Sequence, residues 1–195
     1  MPKLVRRRSL AVAIAAILIV FSVSARRAAP SVAVDPKGLI VLMRHAEAPG
    51  VGDPPNFRLR DCATQRNLDA NGREQAQRAG DLLRTMNSPP AAVYSSQWCR
   101  CLETARLLEV GPVQELPVLN SFFDRREEQE TQIVSLRRFL AGLPADGAPV
   151  VLVTHQVVVT ALTGVFPASG EAVLLRANGT GNPVIEGRIT VEDPK

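Results

Sequence analysis

Leu39-Ile40-Val41-Leu42-Met43-Arg44-His45-Ala46-Glu47 is the stretch whose reading decides the fold. An unbroken apolar run of strand length ends abruptly in Arg-His. Continuous branched side chains suit a strand buried on both faces. In open α/β sheets, ligands gather beyond the carboxyl ends of such strands, which is where Arg44 and His45 fall. The chain has one other histidine, His155, and it closes a second apolar run, Val150-Val151-Leu152-Val153-Thr154. Two parallel strands would bring both imidazoles to one rim. A single histidine at a strand end is ordinarily a hydrogen-bonded structural residue. Two matching cases that use every histidine of the chain shift the reading toward a site.

Working outward, Pro49-Gly50-Val51-Gly52-Asp53-Pro54-Pro55 is dense in turn formers and reads as a loop bordering or covering that site. Leu68-Asp69-Ala70-Asn71-Gly72 leads into a helix from about Arg73, where Ala76, Ala79, Leu82, Leu83 and Met86 recur at helical spacing. Pro89-Pro90 end it. Ala91 to Ser95 reads as a short strand, and Ser95-Ser96 are N-cap candidates for a helix running to about Glu109. Trp98, Leu102, Ala105 and Leu108 form its buried face. Arg100 falls in its first turn, where free N–H groups and a partial positive charge suit an anion and a guanidinium adds a forked donor.

Further along, Val113 to Leu119 is a weak strand interrupted by Pro117. Arg125 to Glu130 is a polar segment of mixed charge, and Ile133, Leu136, Phe139, Leu140 and Leu143 mark a helix. Val157 to Thr163 is rich in β-branched residues, so propensity alone favours strand. Glu171 to Arg176 and Val184 to Val191 read as two strands about the turn Asn178-Gly179-Thr180-Gly181. Strands alternating with helices imply a three-layer α/β/α sandwich with a mainly parallel sheet.

The 195 residues fit one domain (38–195) behind a leader (1–29) and an Ala/Pro-rich linker (30–37). The net charge of +4 does not indicate a nucleic-acid partner. Four of the 23 Lys and Arg residues, Lys3, Arg6, Arg7 and Arg8, precede the first apolar run with no acidic group beside them, so the remaining basic residues equal the 19 acidic ones. Leu10 to Val23 is an apolar run of about 14 residues, short of the ~20 that span a bilayer. With its basic flank and the small residues after it, the segment reads as a secretory signal peptide or as an uncleaved membrane anchor. Either implies an exported, periplasmic-type location. In an oxidising compartment two of Cys62, Cys99 and Cys101 can pair, Cys62 with Cys99 or with Cys101. A zinc site needs more ligands at suitable spacing than this sequence offers.

Two imidazoles and two arginines around one pocket suit a phosphoryl group. Here the residues resemble a known family. Met43-Arg44-His45-Ala46-Glu47 resembles the Arg-His-Gly-Glu signature of the histidine phosphatase superfamily, the phosphoglycerate mutase-like proteins. Leu68 to Ala76 is similar to its Leu-Thr-x-x-Gly-x-x-Gln-Ala segment. Ser95 to Ala105 resembles Ser-Ser-x-x-x-Arg-x-x-x-Thr-Ala, and Val153-Thr154-His155 resembles the second histidine motif. Ala46 and Gln156 stand where the family has glycine.

The resemblance implies that His45 is the phosphorylated nucleophile. It implies that Arg44 and Arg100 hold the phosphate and that His155 completes the pocket. It further implies no metal or organic cofactor, and that Val157–Thr163 is helix. The mutase-like branch takes its general acid from a Glu after the third strand, in a pattern this chain lacks; Asp124, Glu127 and Glu128 fall in the corresponding region, with Asp124 favoured as the acid. Export and small size make the sequence look closest to lipopolysaccharide core heptose-phosphate phosphatase-like members. That implies a phosphorylated small molecule or glycan as substrate. A protein-phosphohistidine phosphatase and a non-catalytic binder of phosphorylated envelope components are the alternatives.

Overall fold

The computed structural model describes residues 34–191. The leader, the first four linker residues and the last four residues of the chain lie outside the described residues. Among the described residues, no helix is long and apolar enough to cross a membrane.

The apolar run at 39–44 forms β1 (Leu39–Arg44), buried along nearly its whole length, and the second run forms β4 (Val150–Thr154), buried throughout. Between them come α1 (Ala70–Arg84), β2 (Ala92–Ser95), α2 (Cys99–Leu107), β3 (Val113–Glu115) and α3 (Gln129–Ala141). After β4 follow α4 (Gln156–Thr163), β5 (Ala172–Arg176) and β6 (Val184–Ile189). The six strands form one sheet in the order β3-β2-β4-β1-β5-β6. The first four are mutually parallel, whereas β5 pairs antiparallel with β1 and β6 antiparallel with β5. The sheet is therefore mixed, a parallel core extended by one hairpin.

Alternate side chains along each strand point to opposite faces, and each face is covered. Leu39, Val41, Met43, Val151 and Val153 pack against Ala79 and Leu83 of α1 and Ala105 of α2. Ile40, Leu42 and Leu152 pack against Leu136 and Leu140 of α3 and Val157 to Val159 of α4. This is the α/β/α layering expected from the sequence.

Three local expectations change. Val157–Thr163 is helix, as the resemblance implied and against β propensity. Burial of Val157, Val158 and Val159 in the second core outweighs a few tenths of a kcal/mol of intrinsic preference. Helix α2 begins after Trp98 and not at Ser95-Ser96, because the Ser96 N–H still bonds the Val153 carbonyl at 2.9 Å and so continues the extended pairing with β4. The 113–119 strand stops at Glu115. Pro117 has no N–H for a ladder and opens a 3-10 turn, Pro117–Leu119. Cys62 pairs with Cys99 across Cα atoms 5.7 Å apart, which leaves Cys101 free and buried.

Candidate active site

Strands β1 and β4 are parallel neighbours in a register that sets Arg44 opposite Thr154. Both end at the same level, and the next residue of each is a histidine. The His45 N–H donates to the Thr154 carbonyl at 2.9 Å, and the two imidazole centroids lie 5.5 Å apart. Above them opens a hollow of about 430 Å³. Arg44, Arg66, Arg100, Asp53 and Asp124 line it with the two histidines. The structure thus brings together Arg44, His45, Arg100, His155 and Asp124, as the sequence suggested. Glu127 and Glu128 border a separate hollow beside Pro117, so of the three acid candidates only Asp124 faces this one.

The motif residues around the site have mechanical roles. Asp69 caps α1 by accepting the Gly72 N–H at 2.8 Å. Gly72 lets the helix touch the chain that follows β1, since a Cβ there would lie 2.0 Å from the Glu47 carbonyl oxygen. One turn on, the Gln75 side-chain oxygen accepts the Glu47 N–H at 3.0 Å. From α2, the Thr104 hydroxyl accepts the Ala46 N–H at 3.1 Å and donates to the Arg100 carbonyl at 2.7 Å. Two helices thereby fix the backbone on which His45 stands.

The proton positions on the imidazoles follow from their partners. His45 Nδ1 lies 2.7 Å from the Ala46 carbonyl oxygen, which can only accept, so Nδ1 carries the proton and Nε2 keeps its lone pair. Nε2 makes no hydrogen bond among the described residues. Burial, followed by the charges of Arg100, Arg44 and Arg66, holds the His45 pKa well below its ordinary value against the opposing Ala46 hydrogen bond. His45 is a neutral imidazole at pH 7, competent as a nucleophile.

His155 Nε2 lies 2.8 Å from the Ser96 hydroxyl. That hydroxyl donates its own proton to Asn120 Oδ1 at 3.1 Å, and the Gln97 N–H at 2.9 Å fixes which end of the Asn120 amide faces it. Ser96 therefore accepts from His155, so Nε2 carries the proton and Nδ1 is bare. Burial, then Arg100, His45, Arg66 and Arg44, hold this imidazole too well below its ordinary pKa. Cys101 Sγ sits 3.4 Å from the same Nε2, but burial pushes its thiol up to about 12, so it stays un-ionised and is no nucleophile.

The arginines are only partly satisfied. Arg100, 3% exposed, meets Asp53 end-on, Nη1 to Oδ1 at 2.7 Å and Nη2 to Oδ2 at 3.0 Å. Asp53 also accepts from Trp98 Nε1 at 3.0 Å and from the Arg66 N–H at 3.2 Å. Arg44 donates from Nη1 to the Pro167 carbonyl at 3.1 Å. In both Arg44 and Arg100 the Nε–H is buried without an acceptor. Such orphaned donors are costly unless a ligand uses them. The side of each guanidinium formed by Nε and Nη2 is a two-pronged donor suited to two oxygens of one oxyanion.

Sequence reasoning missed Asp53, Arg66 and Ser96. Asp53 lay within the turn-rich stretch noted as bordering the site. Arg66 spans that loop by donating to the carbonyls of Ala48 and Gly52, and no local pattern announced it.

Residues 40–131 match the sequence model of the histidine phosphatase superfamily, branch 1. Solved structures of the same fold extend the likeness across most of the chain. The protein histidine phosphatase SixA, solved with tungstate, is 16% identical with a TM-score of 0.52, over 78% of this chain and 96% of its own. An Escherichia coli protein assigned as an alpha-ribazole-5'-P phosphatase is 18% identical with a TM-score of 0.56, over 77% and 95%. A phosphoserine phosphatase mutant from Entamoeba histolytica, solved with phosphoserine, is 15% identical with a TM-score of 0.50, over 77% and 95%. At these identities the structures establish the phosphoglycerate mutase-like fold alone. No curated protein sequence matches the chain. Within the superfamily match fall Arg44, His45, Arg100 and Asp124, whereas His155 lies beyond it and is placed by the fold.

Proposed function

We propose that this protein is an exported phosphomonoesterase working through a phosphohistidine on His45. The observation that carries the reading is the pair of orphaned Nε–H donors of Arg44 and Arg100 around a neutral imidazole whose Nε2 is free. A phosphate monoester held by the two guanidiniums presents its phosphorus to Nε2. The imidazole nitrogen forms the P–N bond as the P–O bond to the leaving alcohol breaks. Asp124, on the pocket wall, supplies a proton to the leaving oxygen. Water then attacks the phosphorus, giving a proton to the Asp124 carboxylate as the P–N bond breaks, which releases phosphate and restores both the imidazole and the acid. The arginines stabilise the charge carried through both steps.

The Cys62–Cys99 disulfide supports export, since such bonds persist in oxidising compartments. The resemblance suggested a phosphorylated envelope sugar of the lipopolysaccharide heptose kind. Ser121 and Gln156 in the lining suit hydroxyl groups, whereas the apolar residues at the mouth do not. The likeness to a protein histidine phosphatase keeps a phosphohistidine substrate as the second reading.

The test is hydrolysis of an aryl phosphate by the full chain beside His45→Ala, with acid-labile, base-stable phosphate trapped on the protein. Turnover and trapping should both vanish in the variant. Phosphate binding without turnover at any pH would leave a binding protein.

A further inference from the structure

Seven large apolar side chains are conspicuously exposed among the described residues: Val51, Leu59, Phe123, Val134, Phe166, Val184 and Ile185. Val51, Phe123 and Phe166 come from three separate segments, yet all three line the arginine-floored hollow, and Leu59 borders the adjoining one. Single exposed apolar residues are ordinary, but a cluster at the mouth of a charged pocket marks a binding surface.

Each of the three is held in place by the pocket. Val51, 87% exposed, stands between Gly50 (φ +96°) and Gly52 (φ +68°). Two successive left-handed turns, which glycine alone adopts freely, push the valine outward. Arg66 fastens this loop through the Ala48 and Gly52 carbonyls. Phe166, 70% exposed, precedes Pro167, whose carbonyl is bonded by the phosphate-site Arg44. Phe123 has its N–H bonded to the Ser121 hydroxyl at 3.2 Å and the Arg126 guanidinium 5.0 Å over its ring. An apolar collar thus stands around the phosphate site, its Phe166 segment tied to Arg44 and its Val51 and Phe123 segments held by other residues of the pocket lining.

We propose that this collar is the leaving-group subsite, and that the substrate is an amphiphilic phosphate monoester whose alcohol carries an alkyl chain next to the phosphate. This rests on the phosphomonoesterase reading. The floor takes the dianion and the collar takes the first methylenes of the chain. The step is the one already written: the P–O bond to the alkyl alcohol breaks, and the alkoxide takes its proton from Asp124. A sugar phosphate would set hydroxyl groups against Val51 and Phe166 with no partners there.

The experiment compares ethyl, butyl, hexyl and octyl phosphate, below their micelle concentrations, with a hexose phosphate on the full chain. The alkyl alcohols are almost equally acidic, so differences in kcat/KM report binding and not leaving-group chemistry. Each methylene covered by the collar raises kcat/KM by up to about fourfold. In Phe166→Ala combined with Val51→Ser the rise flattens. Each protein's slope is read relative to its own ethyl phosphate rate, so a general loss of activity divides out. A flat series in the wild-type protein, or hexose phosphate preferred over hexyl phosphate, overturns the proposal and leaves the phosphatase reading intact. Failure to hydrolyse any ester, with no phosphate trapped on His45, overturns both.

Discussion

Asp53→Asn is nearly isosteric, yet it should be among the most damaging surface-loop changes in this protein. The two carboxylate oxygens each accept from two donors. Oδ1 takes Arg100 Nη1 and the Arg66 N–H, and Oδ2 takes Arg100 Nη2 and Trp98 Nε1. Whichever way an asparagine amide turns, its NH₂ faces two donors. The side chains of Arg100 and Asp53 are only 3% and 10% exposed, so the lost charge leaves a guanidinium buried without its counter-ion. Removing one partner of such a pair costs roughly 3–5 kcal/mol. For a domain of this size that lowers Tm by roughly 6–20 °C.

The pH dependence has a definite sign. Burial tends to raise the Asp53 pKa, but the hydrogen bond and charge of Arg100, with Trp98 and the Arg66 N–H, bring it below the ordinary aspartate value. The stabilisation is then fully present above the unfolded pKa of about 3.9 and is lost as pH falls through the lower folded value. Urea unfolding of the two proteins across pH should show a gap widest near neutrality and closing in acid. A loss below about 1 kcal/mol at neutral pH would refute the reasoning.

Two further predictions concern the second histidine and the disulfide. Because His155 Nδ1 is bare and its pKa is depressed, an oxyanion beside it must bring a proton with it. Sulfate, which has no titrating proton here, should bind more weakly as pH rises from about 5 to 8, and calorimetry in two buffers should show proton uptake that His155→Asn diminishes. An affinity independent of pH would contradict this assignment of protons. The Cys62–Cys99 bridge closes a loop of sequence separation 37 that holds both Asp53-bonded Arg66 and the start of α2. Its removal by Cys62→Ser with Cys99→Ser should cost ~4 kcal/mol on the chain-entropy model, measured by chemical denaturation. Equal stability with and without reductant would show that the bridge does not form in solution.

The sequence by itself determined the α/β layering, the strand ends that carry His45 and His155, and the place of Arg100 in the first turn of a helix, though not the residue at which that helix begins. These features are local. A buried strand announces itself as an apolar run, and an active-site rim announces itself as the point where the run stops. Helix α4 shows the limit of that reading, because Val157 to Val159 have strand propensity and become helical when the second core buries them. Only the tertiary structure decided which cysteine pairs with Cys62, that β5 and β6 run antiparallel, and that Asp124 and not Glu127 or Glu128 faces the pocket. It also decided that Asp53 grips Arg100 across 47 positions, that Ser96 sets the tautomer of His155 across 59, and that Val51, Phe123 and Phe166 share one mouth. Side-chain hydrogen bonds and convergent apolar groups of that kind have no period and no spacing along the chain. They exist only once the folded backbone has brought distant segments within a few ångströms.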